Sequence, residues 1–320
     1  MVFNVLAALF LTMMNNLKKS KLGIAIALLL IPVVIYALFF IYPILYTVYL
    51  SFMKWNGIAL IKKQFIGLQN YAVLFSQKVF WHSLGNSIVF MVVSLGVIFP
   101  LSFLLALLVS KKNKVSGFLR TAYYIPTLLP MTATGMMWMF MLAYNGGAIN
   151  AFLSFFGIRA HDWLGNTSSA IWVVALVNAW MYIGSNMLLF VTGMTNVPQD
   201  IIEASIVDGA GSFHRIVHII IPNMKETFKV FLTSAIAGSI KVFDIIYVMT
   251  DGGPGTATDV PATLMYDQAF LSSRFGYASS IGVFIIFISL FITFTLNYFL
   301  DEKDQPHNRR LLRRGKRSHI

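Results

Sequence analysis

The chain has no cysteine among its 320 residues, which excludes disulfides and thiolate metal sites. Charge is scarce: Asp, Glu, Lys and Arg make up 11%, against about a quarter in soluble domains. A soluble globule cannot be built on that composition. Acidic residues number only 12, and all but Asp244 fall in predicted loops or tails. No paired carboxylates and no Ser/His/Asp grouping stand ready for catalysis. No G-x-x-x-x-G-K-[ST] stretch occurs, so the chain has no phosphate-cradling loop of that type. The six His are scattered. His214 and His218, at i and i+4, are the one close pair and read as a solvated helix face. No metal site is expected.

What fills the chain is apolar: 58% of its residues are hydrophobic, which reads as an integral membrane protein. Apolar runs predict six spans, at about 23–50, 84–109, 121–143, 168–192, 228–250 and 279–300, each long enough for roughly 30 Å of hydrocarbon. Pro32 and Pro43 in the first and Pro126 and Pro130 in the third are tolerable there, because neighbouring helices can satisfy the carbonyls they free. The run from Val2 to Met14 is too short to span. Val2, Leu6, Leu9, Phe10 and Met13 share one helical face and predict an interfacial helix. Three units result: an N-terminal segment 1–21, a membrane domain 22–300 and a basic tail 301–320.

The net charge of +12 would suit nucleic acid, but its placement argues for a membrane. With the N-terminus inside, 17 of the 24 Lys and Arg lie on inner segments and six on outer ones, as the positive-inside rule requires. Lys241 alone lies within a span. Both termini are then cytoplasmic, and the tail reads as a feature that meets anionic lipid, with no nucleic-acid partner.

The segment Asp200–Pro222, DIIEASIVDGAGSFHRIVHIIIP, joins the fourth and fifth spans. Pro198 suits a first helical turn, and Asp200 and Glu203 suit the positive end of that helix. Gly209 and Gly211 bracket a break. Ser212 can cap a second short helix with Phe213, Ile216, Val217 and Ile220 as its apolar stripe. The reading is a helix–turn–helix on the cytoplasmic membrane surface.

Glu203-Ala204-Ser205, Asp208-Gly209-Ala210, Phe213 and Pro222 at this spacing resemble the EAA loop of binding-protein-dependent ABC importer permeases. Ser205 stands where the family has a third Ala, and Ile221 where it often has Leu. Two outer stretches narrow the resemblance. Phe65-Ile66-Gly67-Leu68-Gln69-Asn70-Tyr71 with Phe80-Trp81 and Asn86 is similar to one carbohydrate-permease stretch. Phe243-Asp244, Thr250-Asp251-Gly252-Gly253-Pro254 and Thr258 are similar to another. The match, from about Ile31 to Leu300, is nearest the larger permease of maltose-, lactose- and glycerol-phosphate-type systems.

That resemblance implies an all-α integral membrane fold with six transmembrane helices and a two-helix coupling loop, 196–224, between helices 4 and 5. It implies a multi-pass subunit of a bacterial cytoplasmic (inner) membrane. Its partners would be a second homologous permease, two ATP-binding subunits and an extracellular solute-binding protein that delivers a sugar or oligosaccharide. This chain would bind no cofactor, with ATP and Mg²⁺ held by the partner ATPase. Glu203 would meet a basic residue in that ATPase, and Gly209 would permit the sharp turn. A permease for a non-sugar solute and an ion-coupled carrier are the alternatives. The second would need buried carboxylates and an internal repeat, and one such carboxylate is present without a repeat.

The path residues come from the spans themselves. A charge near mid-membrane is costly unless it faces water, the bundle or a partner. Lys241 and Asp244, at i and i+3, are therefore expected to form an internal ion pair or to border the path. Asn178, Tyr182 and Asn186, four apart, form a polar stripe that can bond sugar hydroxyls or link helices. Trp138, Trp172 and Trp180 read as interfacial belt residues before sugar-stacking platforms. Gly135, Gly184 and Gly238 suit close helix approach.

Overall fold

The computed structural model of the chain describes residues 21–110 and 113–301. The predicted interfacial helix and the basic tail beyond Asp301 lie outside the described residues, as do Lys111 and Lys112. The described chain is mostly helical. Four of its helices are long and apolar enough to cross a membrane: Leu28–Ser51, Lys78–Val109, Ala170–Thr195 and Phe275–Leu300.

Proline shapes the first two of these. Helix α1 (Lys21–Tyr36) passes through a π-turn, Ala37–Ile41, into α2 (Tyr42–Ser51). After a short antiparallel ribbon, β1 (Met53–Lys54) with β2 (Gln64–Phe65), comes α3 (Gln69–Ser76). Helix α4 (Lys78–Val93) then passes through a second π-turn, Ser94–Ile98, into α5 (Phe99–Val109). The residue before each proline donates its N–H five residues back, Tyr42 to Ala37 and Phe99 to Ser94. Proline lacks an N–H and its ring crowds the carbonyl four residues back. The wider turn absorbs both defects, so Pro43 and Pro100 leave their helices unbroken.

The predicted third and fifth spans are each interrupted. The third is α6 (Lys114–Leu128) and α7 (Met131–Met141), separated at Leu129 and Pro130. Leu129 is extended, at ψ 140°, as a residue before proline tends to be. After the short helix α8 (Ala148–Ser154), α9 (Ala170–Thr195) runs unbroken. The predicted fifth span begins after the Glu203 loop. It is α13 (Lys225–Lys241) and α14 (Asp244–Met249), with Val242 and Phe243 outside either helix. No proline or glycine marks that break. The turn at 250–260, α15 (Pro261–Tyr266), a further π-turn, Asp267–Leu271, and α16 (Phe275–Asp301) complete the described chain.

Helix α9 is the hub, packing against α4, α5, α6, α13 and α14. Ser102 and Thr127 donate hydroxyl hydrogen bonds to its Ile183 and Met181 carbonyls, at 2.9 and 2.6 Å. Its Phe190 packs with Phe99, Phe228 and Phe231 in a cluster with ring centroids 5.3–5.7 Å apart. Arg120 hydrogen-bonds the Val109 carbonyl through Nε and a terminal nitrogen, at 3.0 and 2.6 Å, satisfying an end of α5 that its own helix leaves open. Gly184 and Gly135 serve the close approaches expected of them: a Cβ at Gly184 would strike the Tyr123 carbonyl, and one at Gly135 would crowd Val248. Gly238 does not, for it faces open space.

Candidate functional site

A cavity of about 360 Å³ opens beside the second break, bordered by α4, α9, α13 and α14. Asn178, Tyr182 and Asn186 reach it from α9, and Lys241 and Asp244 from the two sides of the break. Residues four apart drift by only about 40° around a helix, so the α9 triplet stays on one stripe. All five polar residues read from the spans thus border one space, and Gly238 borders it too.

The wall offers both acceptors and donors. The Asn178 Oδ1 is buried and has no hydrogen-bond partner among the described residues. Ser185 and Ser239 donate their hydroxyl protons to the Tyr182 and Ala235 carbonyls, at 3.0 and 2.7 Å, which leaves oxygen lone pairs free. The Asn186 amide likewise donates to the Tyr182 carbonyl, at 2.8 Å. Asp244 adds a carboxylate at the first turn of α14, and Lys241 adds an ammonium.

No ion pair joins Lys241 and Asp244 among the described residues, and this corrects one of the two expectations. The i, i+3 argument assumes a continuous helix. Here α13 ends at Lys241 and α14 begins at Asp244, so the spacing no longer stacks the two side chains. The tryptophans are not part of the lining. Trp138 and Trp180 pack edge to face, centroids 5.5 Å apart, and Trp172 is exposed elsewhere on α9.

The Glu203 loop is built as α10 (Gln199–Val207), a turn at 208–211, α11 (Ser212–Arg215), a π-turn Ile216–Ile220 and α12 (Ile221–Asn223). Pro222 follows the π-turn, as Pro43 and Pro100 follow theirs. The Ala210 N–H bonds the Ser205 carbonyl at 2.9 Å and the Gly209 N–H bonds the Ile206 carbonyl at 3.0 Å. This is the Schellman closure of a helix end. It needs a left-handed residue, and Gly209, at φ +81°, supplies it. Ser205 is buried, its hydroxyl donating to the Ile202 carbonyl at 2.6 Å, so a small residue is required there. Arg215 hydrogen-bonds the Ala210 carbonyl at 2.9 Å and the Ser212 hydroxyl at 3.2 Å, a brace that sequence reasoning missed. Glu203, Ala204 and Asp208 lie exposed. Val207 and Phe213 are 86% and 79% exposed, an apolar surface with no cover among the described residues. His214 and His218 stack with centroids 4.1 Å apart on the exposed side.

The two motif stretches, 65–86 and 243–258, meet in space. The Asn86 amide donates to the Ala257 and Asp259 carbonyls, at 2.9 and 2.8 Å, clamping the turn that carries Gly253-Pro254. Thr258 lies 2.7 Å from the Thr250 hydroxyl and donates to the Gly253 carbonyl at 2.8 Å. Asn70 holds the Ser51 and Met53 carbonyls, at 2.8 and 3.0 Å. The sequence signal was present as motif residues, but their pairing across the fold was not. Burial pushes the Asp259 carboxyl up to about 6; the Thr263 hydroxyl, 3.0 Å away, opposes this, and Asp267 and Asp251 add to it.

Residues 98–303, well over half of the chain, match the family described as binding-protein-dependent transport system inner membrane component. The chain belongs to that family. This binding-protein-dependent permease is similar to the trehalose/maltose transport system permease protein MalF of Thermococcus litoralis, 34% identical over 90% of this chain and 96% of that one. It is also similar to the probable ABC transporter permease protein YurN of Bacillus subtilis, 32% identical over 87% of this chain and 97% of that one. Among solved structures, the permease has the fold of a chain in a bacterial ABC transporter that imports the acidic polysaccharide alginate. The TM-score is 0.78 at 22% identity, covering 90% of this chain and 99% of that one. Permeases of this family are transport components, not enzymes.

Proposed function

We propose that this permease forms half of the translocation path of an ATP-driven importer for a sugar or oligosaccharide. The observation that carries the reading is the cavity: Asn178, Tyr182, Asn186, Lys241 and Asp244 converge where a helix is interrupted. Interrupted helices beside a polar cavity are how membrane proteins build solute sites. A wall of carboxylate, amide, hydroxyl and ammonium groups complements a ligand made largely of hydroxyls, which both donate and accept. The names of the relatives, which concern trehalose, maltose and alginate, support the same class.

In this reading the two interrupted segments complete six crossings, both termini are cytoplasmic, and residues 196–224 are the coupling loop. Glu203, Ala204, Ser205, Asp208, Gly209, Ala210, Phe213 and Pro222 seat the loop in one of two ATPase subunits, which hold the ATP and Mg²⁺. Val207 and Phe213 supply the apolar contact and Glu203 the charge. A second permease completes the path, and an extracellular binding protein delivers the solute.

The test uses the complete importer in proteoliposomes, with ATP hydrolysis and import read for wild type, Glu203→Ala and Gly209→Val. A valine at φ +81° costs roughly 1–2 kcal/mol and has no clash to add, since nothing lies within 4 Å of that position. Both variants are expected to insert and to lose at least tenfold of solute-stimulated hydrolysis. Normal hydrolysis and import in both would show that the loop is not the lever.

A further inference from the structure

The outer ribbon carries a second cavity, of about 500 Å³, between β1, β2, α3 and the start of α16. Three cations line it, Lys54, Lys62 and Arg274, together with the amides of Gln64 and Gln69. No acidic residue lines it, and none of the three cations is ion-paired among the described residues. Arg274 is oriented by the Tyr277 ring, 4.8 Å from its guanidinium carbon, and by Gln268 at 3.3 Å. A space walled by unpaired cations and amide donors is chemically an anion site.

The surroundings say which anion. The ribbon tip, 58–61, is apolar and projects outward: Leu60 is 95% exposed, and Ile58 and Ile61 are exposed beside it. Tyr42, Tyr46 and Tyr49 stack along one face of α2, with centroids 5.9 and 6.1 Å apart, and Tyr42 and Tyr49 are exposed. Lys63 joins ribbon to tier: its ammonium donates to the Tyr46 hydroxyl at 2.6 Å and sits 4.9 Å from the Trp55 ring centre. Tyr and Trp concentrate where membrane meets water, and an apolar edge flanked by lysines is the pattern of a segment lying in the headgroup layer. An acidic protein surface would satisfy the cations but would leave the apolar tip and the tyrosine tier unexplained.

We propose that this cavity binds the phosphate headgroup of an anionic phospholipid in the outer leaflet, with the ribbon tip set into the membrane beside it. The outer assignment rests on the orientation given under Proposed function; the site does not. Nothing in the substrate path or the Glu203 loop requires these residues.

The complete importer, extracted from its membrane into lipid nanodiscs, is examined by native mass spectrometry for retained phosphatidylglycerol and phosphatidylethanolamine. Wild type is expected to retain phosphatidylglycerol preferentially. The triple variant Lys54→Gln, Lys62→Gln, Arg274→Gln is expected to lose at least fivefold of that retention, and Lys78→Gln, outside the cavity, to lose none. Glutamine removes the charge while keeping a polar side chain, and strands no acidic partner; the thermal midpoint confirms folding, and Lys62→Glu alone serves if the triple variant is unstable. Unchanged retention in a folded variant overturns the site. Unchanged retention with a several-fold rise in the binding-protein concentration needed for half-stimulation assigns the cavity to an acidic protein surface instead. Because the chain has no cysteine, Lys63→Cys reports sidedness by reaction with a membrane-impermeant maleimide. Labelling only from the inner face would overturn the outer-leaflet assignment and the orientation, while the lipid count still decides the site.

Discussion

The Glu203 loop and the Asn178 cavity are held together in different ways. The loop spans 25 consecutive residues, 199–223, and closes on its own backbone, through Ser205 with Ala210, Ile206 with Gly209, and Arg215 on Ala210. The cavity draws residues as distant as Phe90 and Ile245 from several helices, and none of its five marked side chains forms an ion pair among the described residues. A locally closed unit can move as one piece. A space bounded by separate helices changes shape whenever those helices shift. In the proposed importer that contrast suits a lever and a gate.

The contrast is broken most severely at Gly184. A Cβ there meets the Tyr123 backbone, which cannot retreat as a side chain would. Gly184→Leu should cost more than about 3 kcal/mol, beyond ordinary overpacking, with a lowered thermal midpoint and loss of import. Retained stability would mean that the α6–α9 contact does not set the cavity wall.

The turn at 250–260 tests remote support with a titration. Asp259 is 4% exposed and its carboxyl is raised to about 6 by burial. The folded state therefore holds this proton more tightly than the unfolded state. Stability from this group is highest in acid, falls as pH rises from about 4 to about 6, and stays low above that. The loss approaches about 3 kcal/mol, at 1.36 kcal/mol per unit. Asp259→Asn, which keeps an acceptor for Thr263, should flatten that fall and raise the thermal midpoint at pH 7.5. An unchanged pH profile would show that the carboxylate is solvated.

At the cavity, Lys241→Met and Asp244→Asn should each lower import at least tenfold, about 1.4 kcal/mol in the barrier, with the thermal midpoint nearly unchanged because neither strands a partner. The swap Lys241→Asp with Asp244→Lys should not restore import. Restoration would mean the two charges pair during transport. The smallest effect belongs to the loop brace. Arg215→Gln removes the bond to the Ala210 carbonyl, worth about 1 kcal/mol at a half-exposed position, and should lower stimulated hydrolysis a few-fold. No change would leave the Schellman turn as sufficient closure.

Much of the loop was legible because its determinants are neighbours in sequence: Ser205, Gly209 and Pro222 each act within about six residues. Much of the cavity was legible as a list of polar residues in apolar runs. Two features were not. The break at Val242 and Phe243 has no proline or glycine to announce it, and reading through it produced the expectation of a Lys241–Asp244 pair. The clamp of Asn86 on residues 257–259 joins positions 171 and 173 apart, which no local pattern reports.

Composition and short-range order therefore determined membrane residence, the apolar runs, the proline positions that become π-turns, and the turn at Gly209. Each follows from solvation or from backbone sterics within a few residues. Only the tertiary structure decided that Asn178, Tyr182, Asn186, Lys241 and Asp244 border a single space. Their convergence depends on how interrupted helices are angled, and those angles come from contacts such as Gly135 with Val248 and Gly184 with Tyr123, between residues more than 60 positions apart in the chain.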